Sequence, residues 1–260
     1  MFFSKALTLD EMSSVSTKVA VEMAKLHRFS LSSTKNDGKE NVPTLWPQLW
    51  SWLRQAQKTT HEIEVRHGLE VAKRFDALHS SYLGTKKKDG SWQLERVEAE
   101  LLELETSMPP SPVVFCHNDI LAGNVMLDKK SGDVTLIDFE YGGSNYRGAD
   151  IANHWNEWAG GTQVDMNGVC EYERFPSDDE QRAFCDAYLV EAFGDVGKVR
   201  NEDVDSLVAE AKAFVQVNHW YWGLWAVNQA VLEGVDEFDY LLYAESRAKR
   251  FWGTKMEEHS

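Results

Sequence analysis

Apolar residues recur at helical spacing over most of the chain. Val15, Val19, Met23 and Leu26 share one face of a helix expected over residues 10–27. Thr8-Leu-Asp-Glu11 carries the Thr/Glu spacing of a capping box at its start. A second helical stretch is expected over 47–83, with a break near Lys58, and a third over 91–107. In the third, Leu94, Val97, Leu101 and Leu104 make the buried stripe and Pro109-Pro110 ends it. Residues 30–43 and 86–90 are polar and predict a surface loop and a solvated turn. The pattern then changes period. Residues 113–116 and 124–127 predict short strands, Lys129-Lys-Ser-Gly-Asp133 a hairpin turn with Gly132 free to take a positive φ, and 134–137 the returning strand. Further helices are expected over 150–158, 177–193, 201–233 and 238–251. The fold class is therefore α+β and mostly helical, with one small β element. No repeat, low-complexity tract or Gly/Ser linker divides the 260 residues, which predict one large domain.

The β element carries the candidate chemistry. Asp119 stands five residues before Asn124 and nineteen before Asp138. One Asp with one Asn is also what an Asx turn in a loop looks like. The ordered set is what phosphoryl transfer from Mg-ATP needs. One carboxylate receives the proton of the attacking hydroxyl, and an amide oxygen plus a second carboxylate hold the metal on the phosphates. Asp119 is the candidate base, and Asn124 and Asp138 are the candidate Mg2+ ligands that also hold the nucleotide. The hairpin predicts that Asp138 returns beside Asn124. His117 is expected to buttress the loop by hydrogen bonding, because it has no partners at zinc-ligand spacing. Trp222 and Trp225 lie three apart on one helical face, which fits an ordinary core stripe as well as a cation–π wall. Glu157 reads either as a helix-surface residue or as a carboxylate for a buried cation.

At these residues the chain resembles the choline/ethanolamine kinase family, a branch of the protein-kinase-like fold. Val113-Val-Phe-Cys-His-Asn-Asp-Ile-Leu-Ala-Gly-Asn124 and Leu136-Ile-Asp-Phe-Glu-Tyr141 resemble its catalytic and metal-binding segments. The stretch from Asn145 to Gly160, the run His219-Trp-Tyr-Trp-Gly-Leu-Trp225 and the entry from Ala20 to Leu53 resemble further parts of it. The resemblance implies an ATP- and Mg2+-dependent phosphotransferase acting on a small amino alcohol. It places Tyr141, Glu157, Trp222, Trp225, Phe238 and Tyr243 at the substrate. His117-Asn-Asp-Ile-Leu121 and Asn156-Glu-Trp-Ala-Gly160 resemble the ethanolamine kinase form, whereas Trp222-Gly-Leu-Trp225 has the Gly more familiar from choline kinases. Ethanolamine is thus the expected acceptor, in the step that opens the CDP-ethanolamine route to phosphatidylethanolamine. Choline is the alternative. The resemblance also implies that these residues form the large C-terminal lobe. Met1 to Leu9 resembles the end of the connector between lobes, and the strand-rich N-terminal lobe with its glycine-containing phosphate loop and Lys has no counterpart here. A truncated gene model is one explanation. A non-catalytic pseudokinase partner is another, and an aminoglycoside phosphotransferase would share the loop without the tryptophan helix. The resemblance allows a homodimer.

Composition adds exclusions. A net charge of -15 provides no basic stripe for nucleic acid or for anionic membranes. No apolar run approaches the ~20 residues that span a bilayer, and no signal peptide is evident. Cys116, Cys170 and Cys185 are odd in number and widely spaced, which fits a reducing, cytosolic setting without disulfides.

Overall fold

Helix α1 (Met12–His27) buries Met12, Val15, Val19, Ala20, Met23 and Ala24 along one face, as the spacing predicts. Thr8 and Glu11 form the expected cap, with Thr8 N–H donating to Glu11 Oε2 at 3.0 Å, and a short 3-10 turn over Leu9–Glu11 leads into the helix. The structure is a computed structural model and describes residues 4–28, 42–58, 60–88 and 90–258. Nearly all of the loop expected over 30–43 lies outside the described residues. The chain divides into two compact units.

The first unit gathers Met1–Thr44, Pro109–Gly160 and Tyr172–Val215. In sequence order its described elements after β1 (Ser4–Ala6) and α1 are β4 (Val113–Cys116), β5 (Val125–Asp128), β6 (Val134–Leu136), β7 (Gly143–Tyr146), α6 (Arg147–Glu157) and α7 (Asp178–Phe193). Strands β1, β5 and β6 make an antiparallel sheet in that order, with Ala6 opposite Met126 and Val125 opposite Leu136. Strands β4 and β7 pair separately, with Cys116 opposite Gly143. The hairpin turn forms as expected, with Gly132 at φ 74°. Its strands are displaced by a residue or so from the pattern: residues Ala122–Asn124 form a 3-10 turn and β5 starts after it. The core of this unit is built by α1, α6 and α7 through Val19, Met23, Ile151, Trp155, Phe184 and Leu189.

The second unit holds Leu45–Met108, Gly161–Glu171 and Gln216–Ser260. The helix expected over 47–83 is three helices, α2 (Leu45–Lys58), α3 (Thr60–His67) and α4 (Leu69–Leu78), followed by one π turn over His79–Leu83. The break expected near Lys58 would fall at residue 59, which lies outside the described residues. A break among the described residues falls at Gly68, whose φ of 87° no α-helix accommodates. Residues 91–94 are not helical, in contrast to the expectation. Trp92–Gln93 (β3) pairs with Thr85–Lys86 (β2), and α5 starts only at Glu95 (Glu95–Ser107). Gly84 makes this hairpin dock, because a β-carbon there would lie 1.8 Å from the Gln93 carbonyl oxygen. Helix α8 (Asn201–Glu233) has the expected bounds and contributes to both units, and α9 (Tyr240–Glu258) completes the second. No helix among the described residues is long and apolar enough to cross a membrane.

Helix α7 packs on α1, and its N-terminus is closed by a reciprocal box: Ser177 N–H and Oγ donate to Glu180 Oε2, and Ser177 Oγ accepts from Glu180 N–H. Replacing Ser177 by Ala is expected to cost about 1 kcal/mol of unfolding free energy with an unchanged denaturant slope, measured by urea titration.

Candidate active site

The sequence candidates fall into two groups, one in each unit. In the first unit the loop after β4 carries His117, Asn118 and Asp119, and a fully buried carboxylate on α6 shapes it. Asp150 accepts the backbone N–H of His117 through Oδ2 (2.9 Å) and that of Asn118 through Oδ1 (2.7 Å). His27, the last residue of α1, donates from Nε2 to Asp150 Oδ2 at 3.0 Å, and its Nδ1 lies 2.9 Å from the Tyr188 hydroxyl. Burial alone would raise the Asp150 carboxyl. The hydrogen bond and charge of His27 and the N–H of His117 outweigh burial and hold it below its ordinary value. Cys116 Sγ lies with these two side chains, so that His, Cys and Asp ligand atoms fall within 4.8 Å of one another. Both Asp150 oxygens are already engaged by backbone N–H groups, and burial pushes the Cys116 thiol well up, so the cluster is a hydrogen-bonded clamp.

Two more bonds tie this loop to the strand that follows β6. His117 Nε2 donates to the Ile137 carbonyl at 2.8 Å, the buttress expected of it, and Asn118 Nδ2 donates to the Tyr141 carbonyl at 2.8 Å. Asn118 has φ 67°, a left-handed conformation that its own side chain stabilises by bonding to Tyr141 and by accepting from Asn145 Nδ2 at 2.7 Å. His154 supports the loop from below. Its Nδ1 donates to the Ile120 carbonyl at 3.0 Å, and burial pushes the ring down to about 4, which keeps it neutral.

Asp119, Asn124 and Asp138 come together as the spacing predicts. Asn124 Nδ2 donates to the Asp119 carbonyl (2.8 Å) and to its carboxylate Oδ2 (3.1 Å). Ile137 N–H donates to the Asn124 carbonyl at 3.0 Å, one step beyond the β5–β6 ladder, which sets Asp138 beside Asn124. Asp138 has φ 63° and is exposed, and no hydrogen bond from the described residues engages its carboxylate. Burial pushes half-buried Asp119 up to about 8, and the charges of Glu157, Glu140 and Asp138 push the same way against the Asn124 hydrogen bond. Glu157 is buried at the end of α6, so its reading as a surface residue is set aside. The donor set fits Mg2+: an amide whose nitrogen is committed to Asp119, leaving its oxygen as acceptor, and an unengaged carboxylate in a negative field.

In the second unit Trp222 and Trp225 meet edge to face at 5.5 Å between ring centroids, and Tyr243 lies 6.5 Å from Trp225 and 5.9 Å from Phe238. The four aromatic candidates thus belong to one cluster. Tyr240, which the sequence reading passed over, completes it at 5.5 Å from Trp225 and 4.8 Å from Phe238. Its three-residue spacing from Tyr243 on α9 was the available signal. Asp150 and His27 were also passed over, since nothing in their local sequence announces that residues 27, 117, 118 and 150 meet.

The profile of the choline/ethanolamine kinase family matches residues 2–252. The chain belongs to that family. It is 33% identical over 231 residues to a probable ethanolamine kinase of Arabidopsis thaliana, covering 88% of the chain and 52% of the relative. With a probable choline kinase of the same plant it shares 29% over 254 residues, covering 96% of the chain and 63% of the relative. Human ethanolamine kinase 1 is 40% identical over 151 residues, covering 56% of the chain and 32% of the relative. The chain thus spans only part of the length of these relatives. Among solved structures, an ethanolamine kinase of Plasmodium vivax superposes with a TM-score of 0.72 at 22% identity, covering 96% of this chain and 63% of that one. A choline kinase of Cryptosporidium parvum gives 0.67 at 23% identity, covering 99% of this chain and 69% of that one. The fold is the mostly helical, protein-kinase-like α+β fold of these enzymes, as the sequence predicts.

Two outcomes follow from the geometry. Asp150→Ala leaves two backbone N–H groups and His27 buried without their acceptor, and is expected to cost roughly 3–5 kcal/mol. Because the Asp150 carboxyl is held low, the stability it confers is complete at neutral pH and is lost only as pH falls through its depressed value, below the ordinary carboxylate range. Urea titrations of both proteins at stepped pH should show the gap closing only there. For Asp119 the sign is opposite. Folding keeps a proton that the unfolded chain has lost above the ordinary carboxylate range, so stability declines as pH rises through about 8. Asp119→Asn should flatten that decline in thermal scans without added cations.

Proposed function

We propose that the protein transfers the terminal phosphoryl group of ATP to the hydroxyl of ethanolamine, giving phosphoethanolamine, with choline as the weaker acceptor. The observation that carries this reading is the Asp119–Asn124 pair set beside Asp138 in a field of carboxylates, on a loop clamped by Asp150. In this role Asp119 takes the proton of the acceptor hydroxyl as its oxygen attacks phosphorus. Asn124 and Asp138 would hold Mg2+, which when bound with ATP neutralises charge on the phosphates. Asn124 also orients Asp119 through its amide hydrogens. Glu157 supplies negative charge for the ammonium group, and Tyr141 borders it. By the family resemblance Trp222, Trp225, Phe238 and Tyr243 provide the aromatic part of amino-alcohol recognition, and Tyr240 belongs to their cluster. We take the chain as the large C-terminal lobe of such an enzyme.

The preference for ethanolamine leans on the resemblance of His117–Leu121 and Asn156–Gly160 to ethanolamine kinases. An acidic protein without basic stripes fits a small cationic substrate, and three free cysteines fit a cytosolic setting.

ADP release by the complete gene product, followed with each alcohol, tests the reading. The expected result is a kcat/KM for ethanolamine at least about tenfold above that for choline, a difference of ~1.4 kcal/mol in transition-state binding. Choline preferred would reverse the substrate assignment, and turnover of neither would remove the activity. Asp119→Asn should cut kcat by about 100-fold or more while ATP binding persists. Asp138→Ala should abolish turnover at ordinary Mg2+ concentrations.

A further inference from the structure

Arg247 is fully buried on α9, one helical turn beyond Tyr243. Its Nη2 donates to the Tyr243 hydroxyl at 2.6 Å, and its guanidinium carbon lies 5.0 Å from the centre of the Tyr243 ring. The stem is fixed as well. A β-carbon on Gly223, the residue between Trp222 and Trp225, would sit 3.6 Å from Arg247 Cβ, so the arginine packs against the α8 backbone at the point that carries both tryptophans. The edge of the same tyrosine ring is bounded by backbone: a β-carbon on Gly161, already at φ 106°, would come within 3.0 Å of Tyr243 Cε2. Tyr243 is therefore held at its hydroxyl, over one face and along one edge.

Burying a guanidinium is expensive, and an apolar side chain would fill the same volume with less desolvation. A cation beneath the ring also does nothing to attract a second cation to it. What the guanidinium does supply is direction, because its planar donors fix the hydroxyl while its carbon lies over the ring. Together these observations favour a role in orientation over one in attraction.

We propose that Arg247 is a positioning residue for the acceptor alcohol. It locks the buried Tyr243 ring within the aromatic cluster, so that Trp225 and Phe238, which pack on that ring, are held in place to meet the ammonium group. This rests on the assignment of that cluster to substrate, and Trp225→Ala checks the assignment separately.

Steady-state kinetics of the complete gene product with the preferred alcohol test the proposal. Arg247→Met should raise the KM for the alcohol about tenfold while kcat and the KM for ATP stay within about twofold. Arg247→Lys keeps a donor and should recover part of that loss. Tyr243→Phe keeps the ring but not the hydroxyl and should raise the same KM, and the double variant Tyr243→Phe/Arg247→Met should be no worse than the poorer single one. Should Arg247→Met fail to fold, Tyr243→Phe decides alone. A lowered Tm with the alcohol KM unchanged, or fully additive effects in the double variant, would overturn the proposal, as would an unaltered KM in Tyr243→Phe. If Trp225→Ala also leaves that KM unchanged, the aromatic cluster is not the substrate site and the parent assignment falls. If Trp225→Ala raises it and the Arg247 and Tyr243 variants do not, only the role of Arg247 falls.

Discussion

A single buried carboxylate organises the loop that follows β4. Asp150 has no exposure to solvent, and a charge in that position persists only if its oxygens are engaged. It is satisfied by the backbone N–H groups of His117 and Asn118 and by His27. Those bonds fix the turn that leaves Asn118 in a left-handed conformation and delivers Asp119 next in the chain. From the same loop, His117 and Asn118 each reach a carbonyl on the segment holding Asp138, at Ile137 and Tyr141. The placement of Asp119 relative to Asp138 is thus set by buried polar bonds between fixed backbone groups, with no need for the two carboxylates to contact each other. A network of this kind is rigid while complete and costly once one member is lost.

The aromatic cluster of the second unit uses a different physical device. Its rings meet edge to face, the arrangement in which the positive edge of one ring rests on the negative face of another. Such pairs are directional, so each ring restrains its neighbours without hydrogen bonds. The hydroxyl groups at the rim add polar anchors: Tyr240 donates to Glu233 at 2.7 Å, while Tyr243 is gripped by Arg247. Rigid aromatic surface loses little entropy when a cation is bound, which is why ring-lined sites suit ligands that offer few hydrogen-bond donors.

What could be read from the sequence follows what is local. The order Asp119, Asn124, Asp138 is local because a hairpin of known length joins the last two, and Gly132 marks its turn. Helix α1 was legible from its periodicity and cap, and the spans expected for α7 and α8 match to within a residue. Strands β1 and β7 were not, since each is short and becomes a strand only by pairing, with β5 and β4 respectively. The segment at Trp92 carries an apolar residue that fits a helical stripe equally well. Its pairing with Thr85–Lys86 is decided by Gly84, whose lack of a side chain lets the strands approach. Asp150 stands at the start of the helix expected over 150–158, and only the tertiary meeting of α1, α6 and the loop after β4 gives it a role. Tyr240 was visible as an aromatic residue, but it sits at the start of α9, where the register of the helix is not fixed by sequence alone.

The electrostatics of Asp119 suit the role of general base proposed for it. An ordinary exposed carboxylate is ionised at neutral pH and is a poor proton acceptor. Asp119 is pushed up to about 8 by burial and by the charges of Glu157, Glu140 and Asp138, so in the protein alone it holds its proton over much of the neutral range. The field that raises it also favours any cation that enters, and an entering cation pulls the pKa back down. In the proposed role, the metal with the nucleotide and the ammonium group of the acceptor are two such cations. The base would then ionise on the arrival of the groups it serves. Its proton affinity would still exceed that of a free carboxylate for as long as burial persists. Tuning near the working pH, with ionisation coupled to substrate charge, meets the two opposed demands on a general base: being unprotonated at the start and holding the proton at the end.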